Sequence, residues 1–153
     1  MESTLVLIKP SGVERCLIGK IIERFECKGL IINGLKMMLL DEKILKEHYA
    51  HLVDKPFFPT LVASMMASPI VALCLSGKNA VEVVRSMTGV TDASKAAPGT
   101  IRGDFGMSNQ ENIVHASDSV ENALTEIKRF FKAEEIFDYE PANIKYLYSP
   151  EGK

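Results

Sequence analysis

Apolar residues fall along this chain in short runs divided by turn signals, with helical periodicity between them. Leu5-Val6-Leu7-Ile8 is an unbroken apolar run closed by Lys9-Pro10-Ser11-Gly12, which predicts a buried strand and then a turn. Ile18, Ile21, Ile22 and Phe25 share one helical face, and Lys28-Gly29 supplies a basic last turn and a stop. Leu30 to Leu40 is β-like, with an interruption at Asn33-Gly34. From Asp41 to Ala67 the pattern is helical twice over, broken at Lys55-Pro56. Pro69 precedes another buried strand, Ile70 to Leu75. Asn79 reads as the N-cap of a helix carrying Val81, Val84 and Met87.

Residues 88–111 lose this periodicity and hold Gly89, Pro98, Gly99, Gly103 and Gly106. They predict a long ordered loop, a length often tied to function. Ile113-Val114 is the last short strand. Asp118 or Ser119 then caps a helix whose stripe is Val120, Leu124, Ile127 and Phe131. The tail from Asp138 is irregular, and its Tyr146-Leu147-Tyr148 end calls for docking on its own core or on a neighbouring subunit. The order of elements contains two β-α-β units in succession. It predicts an α+β fold, a ferredoxin-like sandwich with a four-stranded antiparallel sheet covered by helices. No repeat or linker interrupts it, so residues 1–153 are expected to form a single domain with a C-terminal extension, 138–153.

Composition narrows the function. A net charge of -2 argues against a dedicated duplex DNA binder, which would carry a basic face. The three cysteines, Cys16, Cys27 and Cys74, are scattered and form no C-x-x-C pair. Free thiols in a reducing cytoplasm are the expectation, rather than a disulfide framework or zinc site. The start of the chain lacks a basic, then apolar, leader pattern, and no window reaches the roughly 18 apolar residues of a membrane span.

The candidate chemistry centres on Asn112-Ile113-Val114-His115-Ala116-Ser117-Asp118-Ser119. It places a histidine at the end of an apolar run and directly before a helix. An imidazole is a competent nucleophile near neutral pH, and Glu126 on that helix is a carboxylate able to orient it. Small residues and a helix N-terminus suit an incoming phosphate. Lys9, Arg85 and Arg102 are the cations that phosphoryl transfer requires around the equatorial oxygens. The Walker A pattern and the protein-kinase motifs are absent from the sequence, so phosphate handling takes another route. His48 and His51 stand at i, i+3, but no third ligand at suitable spacing makes them a metal site.

Several stretches together resemble the nucleoside diphosphate kinases. They are Ile8-Lys9-Pro10, Arg24-Phe25-Glu26, His48-Tyr49, Lys55-Pro56-Phe57-Phe58, Gly89-Val90-Thr91, Pro98 to Phe105, and the His115 segment. The resemblance spans nearly the whole chain. It implies a ping-pong kinase that moves the γ-phosphoryl of a nucleoside triphosphate, mainly ATP, to a nucleoside diphosphate through a phosphohistidine at His115. Carried over by position, Lys9 and Asn112 contact sugar and phosphates, and Tyr49, Arg85, Thr91 and Arg102 hold phosphates. Phe57 stacks on the base beside Leu61. Ser117 supports the site and Glu126 holds the imidazole. Mg2+ arrives on the nucleotide phosphates, with no protein metal site. A cytoplasmic homo-oligomer is implied, a hexamer given the tail and the long loop, with no membrane or specific nucleic-acid partner.

The chain departs from the family pattern at four places. Ala116 stands where many members have Gly; its methyl adds bulk beside the nucleophile, but Ala is small and activity is expected to survive. Ser11 replaces a common Asp, a neutral turn change, and Ala93 replaces a frequent Pro, which loosens the loop. Asn109 falls where an apolar residue often closes on the base, which bears on base affinity more than on catalysis. A fold retained for binding without turnover would have lost the catalytic residues, and all of them are present in the sequence. Phosphohistidine donation to proteins would use the same His115.

Overall fold

The structure, a computed structural model, describes residues 1–152. Strands β1 (Glu2–Ile8), β2 (Ile31–Met38), β3 (Ile70–Gly77) and β4 (Val114–Ala116) form one antiparallel sheet in the order β2-β3-β1-β4. Around it lie α1 (Pro10–Glu14), α2 (Ile18–Lys28), α3 (Glu42–His48), α4 (Phe58–Met66), α5 (Ala80–Thr88), α6 (Ile101–Phe105) and α7 (Val120–Phe130). The ferredoxin-like α+β sandwich expected from the element order is the fold that forms.

Strand β1 runs through the centre, paired with β3 on one side and β4 on the other. Its side chains alternate between faces, as a pleated strand requires. Val6 and Ile8 pack with Ile21 and Phe25 of α2 and Val84 of α5. Leu5 and Leu7 pack with Leu45 of α3, Met65 of α4 and Phe130 of α7. Each large side chain removed from water contributes roughly 1.5–3 kcal/mol. Both faces are covered, which explains the continuous apolar run.

The Asn33-Gly34 interruption is a bulge in β2. Asn33 drops out of the ladder and pairs with the tail: the Phe137 N–H donates to its carbonyl, and its Nδ2 donates to the Phe137 carbonyl, both at 2.8 Å. A Cβ on Gly34 would meet Ile136 and Phe131 at 3.0 Å or closer, so glycine is what lets the tail approach. Further on, Ile144 is buried, and the Lys78 N–H donates to Tyr148 Oη at 3.2 Å. The tail therefore docks on its own chain.

The structure corrects four local expectations. The turn at Lys9–Gly12 is the start of helix α1, because Pro10 sits at N1, where its fixed φ suits a helix and its missing N–H costs nothing. Asn79 does not cap α5 with its side chain; it turns left-handed at φ 52°, and Glu2 Oε1 accepts from the Val81 N–H at 3.1 Å instead. The loop 88–111 contains a 3-10 turn, Ala93–Lys95, and helix α6. Thr100 Oγ1 accepts from the Gly103 N–H at 2.9 Å and caps α6, a signal masked by the surrounding glycines. Ser119 caps α7 through the Asn122 N–H, but Val120 and Leu124 are exposed. The inward face of α7 is Ala123, Glu126 and Phe130, so the apolar stripe is shifted by one carboxylate.

Candidate active site

One cavity of about 580 Å³ opens where the end of β4, the start of β1's turn, α3, α5 and α7 converge. His115 and Glu126 line it, as do Lys9, Tyr49, Arg85, Thr91, Arg102 and Asn112. The structure thus gathers eight residues spread over more than a hundred positions.

His115 is the middle residue of β4, opposite Leu7 of β1. It therefore shares the sheet face covered by α7. Its Nε2 lies 2.5 Å from Glu126 Oε2, and its side chain is 22% exposed. A carboxylate accepts only, so the imidazole proton sits on Nε2 and the Nδ1 lone pair is left free. Just before it, Ile113 has φ 74°, a rare value for a β-branched residue. The surroundings hold it there. The Lys9 N–H donates to its carbonyl at 2.8 Å, and Arg102 ties the residues on either side. Arg102 Nε donates to the Asn112 carbonyl at 3.2 Å and Nη2 to the Val114 carbonyl at 2.7 Å. Its Nη1 reaches the Gly89 carbonyl at 2.8 Å. Strain held by such bonds is typical of functional segments.

Arg102 is thus buried and half committed to the backbone, where the family resemblance implied phosphate contact alone. Burial, then the Arg85 charge, lowers its pKa to about 10, which leaves it cationic at neutral pH. Lys9 Nζ donates to Asn112 Oδ1 at 2.6 Å, and Asn112 Nδ2 donates to the Thr91 carbonyl at 3.0 Å. Burial first, then Arg102, brings the Lys9 ammonium down to about 8, with Glu111 opposing. Arg85, exposed on α5, reaches the Ala116 carbonyl at 3.4 Å. Burial, then the Glu126 charge, pushes the Tyr49 phenol up to about 12, so it stays a neutral donor.

Three expected residues lie outside this cavity. Ser117 is fully buried, and its Oγ accepts from the Leu5 N–H at 3.3 Å; it fastens β4 to β1 and does not reach the imidazole. Phe57 is half exposed at the start of α4, and Leu61 sits one turn on, packed against the core beneath α3 and α7. The Ala116 methyl points into the core with Val6 and Ile8, on the opposite side of the sheet from His115. Ala116 also lines the cavity, where its carbonyl accepts from Arg85 Nη1. Ala93 is buried, Asn109 is exposed, and Ser11 Oγ is buried without a partner.

Two further residues belong to the site, His48 and Arg129; spacing offers His48 only a metal pairing with His51, and Arg129 no role. His48 is buried, its ring edge-on to His115 with centroids 4.6 Å apart. Its Nδ1 accepts from Arg129 Nη1 at 2.9 Å and lies 3.7 Å from Glu126 Oε2. Burial, then the charges of His115, Arg129, His51 and Lys9, drives its pKa down to about 2, so it is neutral. Its close partners are His115 and Glu126, with ligand atoms within 4.8 Å, and His51 is not among them.

A strand-borne imidazole oriented by a buried carboxylate, facing three cations, is a phosphoryl-transfer geometry. The family model that describes nucleoside diphosphate kinase matches residues 2–136. The chain belongs to the nucleoside diphosphate kinase family. A nucleoside diphosphate kinase of Parabacteroides distasonis is 56% identical over 149 residues, covering 97% of each chain. One of Pyrococcus horikoshii is 52% identical over 141 residues, covering 90% of each. A solved structure of the Halobacterium salinarum nucleoside diphosphate kinase in complex with CDP superposes with a TM-score of 0.93 at 43% identity, over 96% of this chain and 98% of that one. Nucleoside diphosphate kinases transfer phosphoryl groups from nucleoside triphosphates to nucleoside diphosphates, and this chain is a phosphotransferase of that family.

Proposed function

We propose that His115 carries the phosphoryl group in a ping-pong exchange. The observation that carries this reading is the Nε2–Glu126 contact, which leaves Nδ1 free on the cavity side. Nδ1 attacks the γ-phosphorus of a nucleoside triphosphate, mainly ATP. The bond to the β,γ-bridging oxygen breaks, and the diphosphate leaves with that electron pair. Glu126 offsets the positive charge that develops on the ring. A second diphosphate then attacks the phosphohistidine, and Nδ1 recovers its lone pair.

Lys9, Arg85 and the uncommitted N–H groups of Arg102 neutralise the phosphates, with Thr91, Tyr49 and Asn112 as neutral partners. The exposed Phe57 ring, with Leu61 behind it, is a platform for any base, since every base has a π-face. Ser117 acts on the site through the strand it holds. Three carboxylates line the cavity: Glu47, Asp118 and Glu126. Each already has a protein partner, in Arg129, Asn122 and His115 respectively. That donor set suits a Mg2+ held mainly by nucleotide phosphates and water. When bound, the ion offsets phosphate charge.

Residues 1–153 work as one kinase domain, with 138–153 as its C-terminal extension. No helix among the described residues is long and apolar enough to cross a membrane. The three cysteines are free thiols, and we read the setting as cytoplasmic. We read the assembly as a hexamer; light scattering that gave a monomer or dimer at micromolar concentration would exclude it. The central test is to mix pure protein with Mg-ATP, remove nucleotide, and look for acid-labile phosphate on His115. A chase with GDP or dTDP should remove it. No label on the protein, or undiminished label in His115→Ala, would overturn the mechanism.

A further inference from the structure

Glu126 Oε2 has two imidazole neighbours: His115 Nε2 at 2.5 Å and His48 Nδ1 at 3.7 Å. A neutral imidazole has one proton, and its position is set by what the other nitrogen meets. Arg129 is a donor only and keeps its charge at any working pH. The His48 Nδ1 that faces it is therefore bare, and the His48 proton is on Nε2. That Nε2 is buried with no partner, an unfavourable place for a donor. The tautomer exists because Arg129 imposes it. Arg129 Nε lies 3.4 Å from Glu47 Oε1, an ion pair without a hydrogen bond.

We propose that Arg129 is a positioning residue for phosphoryl transfer: by donating to His48 Nδ1 it keeps His48 off Glu126 and reserves that carboxylate for His115. The proposal rests on His115 being the phosphorylated residue. Without Arg129 the His48 proton moves to Nδ1, where it has a carboxylate to meet. A modest shift then closes the gap to the roughly 2.9 Å of a hydrogen bond. Glu126 is divided between two rings, and His115 loses its fixed orientation. The groups facing His48 are Glu126 and Arg129 of α7, His115 of β4, Tyr49 and His51 beyond α3, and Lys9 beyond β1. With Arg129 gone, the closest full charge is the Glu126 carboxylate, so His48 also becomes easier to protonate.

The test compares wild type, Arg129→Met, which keeps an aliphatic stem, and Arg129→Lys. The first readout is 15N NMR of the histidine rings in resting, nucleotide-free protein from about pH 5 to 8, the range of ordinary histidine titration. The second is the single-turnover rate of His115 phosphorylation by Mg-ATP over the same range. Wild type is expected to show an unchanging Nε2–H tautomer at His48. Arg129→Met is expected to move the proton to Nδ1 or to titrate, and to phosphorylate about tenfold more slowly or worse, the scale of a small misplacement. Its nucleotide KM stays as in wild type, its rate gains an acidic limb, and Arg129→Lys restores part of both. An unchanged His48 tautomer in Arg129→Met, or a loss confined to KM, would overturn the proposal. The tautomer readout needs no phosphorylation, so wild type that takes no label on His115 defeats the kinase mechanism separately.

Discussion

Replacing Arg102 by alanine should damage stability before it damages nucleotide affinity. Its guanidinium is buried and donates to three backbone carbonyls, on Gly89, Asn112 and Val114. These bonds join the end of α5, the long loop and β4, and they bracket the strained Ile113. A net contribution of about 1 to 1.5 kcal/mol for each puts the loss at roughly 3 to 5 kcal/mol. Against the roughly 5–15 kcal/mol of a typical domain, that is a large share. Arg85→Ala is the control. Arg85 is exposed and makes one 3.4 Å contact, so it should cost under about 0.5 kcal/mol, as surface changes usually do. Both variants remove a cation from the same cavity. Urea unfolding of the nucleotide-free protein, followed by fluorescence and circular dichroism, gives the two midpoints. The expected result is a strongly lowered midpoint for Arg102→Ala alone, with weakened ATP binding in both. Equal midpoints for the two variants would refute the bracing role and return Arg102 to a simple phosphate ligand.

Two further outcomes are expected. Lys9 is charged only below its lowered pKa of about 8, so nucleotide KM should rise as pH passes that value, and Lys9→Met should give a high, flat KM profile. Stability moves the other way: unfolded Lys9 keeps its proton up to about 10.5, so between these values the unfolded chain binds more protons and Lys9's contribution to stability rises with pH. Steady-state kinetics and urea midpoints over pH 7 to 10, about the span of the shift, check both signs. Ala116→Gly should lower stability by about 0.5–1 kcal/mol, because a strand glycine loses a buried methyl and gains unfolded-state freedom, and should leave kcat unchanged. A raised kcat would mean the methyl does reach the phosphate.

Much of this architecture is legible in the residue pattern, and its failures have physical causes. The three long strands and α2 stand out because their apolar periods are long and cleanly stopped, at Gly29 for example. Helices α1 and α6 hide behind Pro10 and Gly103, residues that usually end helices; at N1 and under a Thr100 cap they do not. The α7 stripe is misjudged because the helix turns Glu126 inward, so its buried face serves the site as well as the core. His115 and Glu126 are readable together because consecutive elements carry them. Lys9, Arg85 and Arg102 are readable as candidate cations from the chemistry, and the resemblance assigns them to phosphates. Arg129 and His48 are 81 positions apart, and nothing in local spacing announces that they meet. Ser117 is readable as a supporting residue but not by its contact: its hydroxyl accepts from the Leu5 backbone, a partner 112 positions away.

The division of labour follows from a strand of three residues. In β4 the pleat sends Val114 and Ala116 into one core and His115 to the other face, so the proposed nucleophile's neighbours are anchors and its own ring is partly exposed. The ladder to Leu7 fixes its backbone, and Glu126 fixes its ring. The cations come from three separate places: Lys9 after β1, Arg85 on α5 and Arg102 on α6. No local segment could assemble that wall in an unfolded chain. The same Arg102 that faces the cavity also holds Ile113 in its strained turn. A loss of global packing should therefore remove cationic wall and imidazole orientation together, making activity a close reporter of folding in destabilised variants.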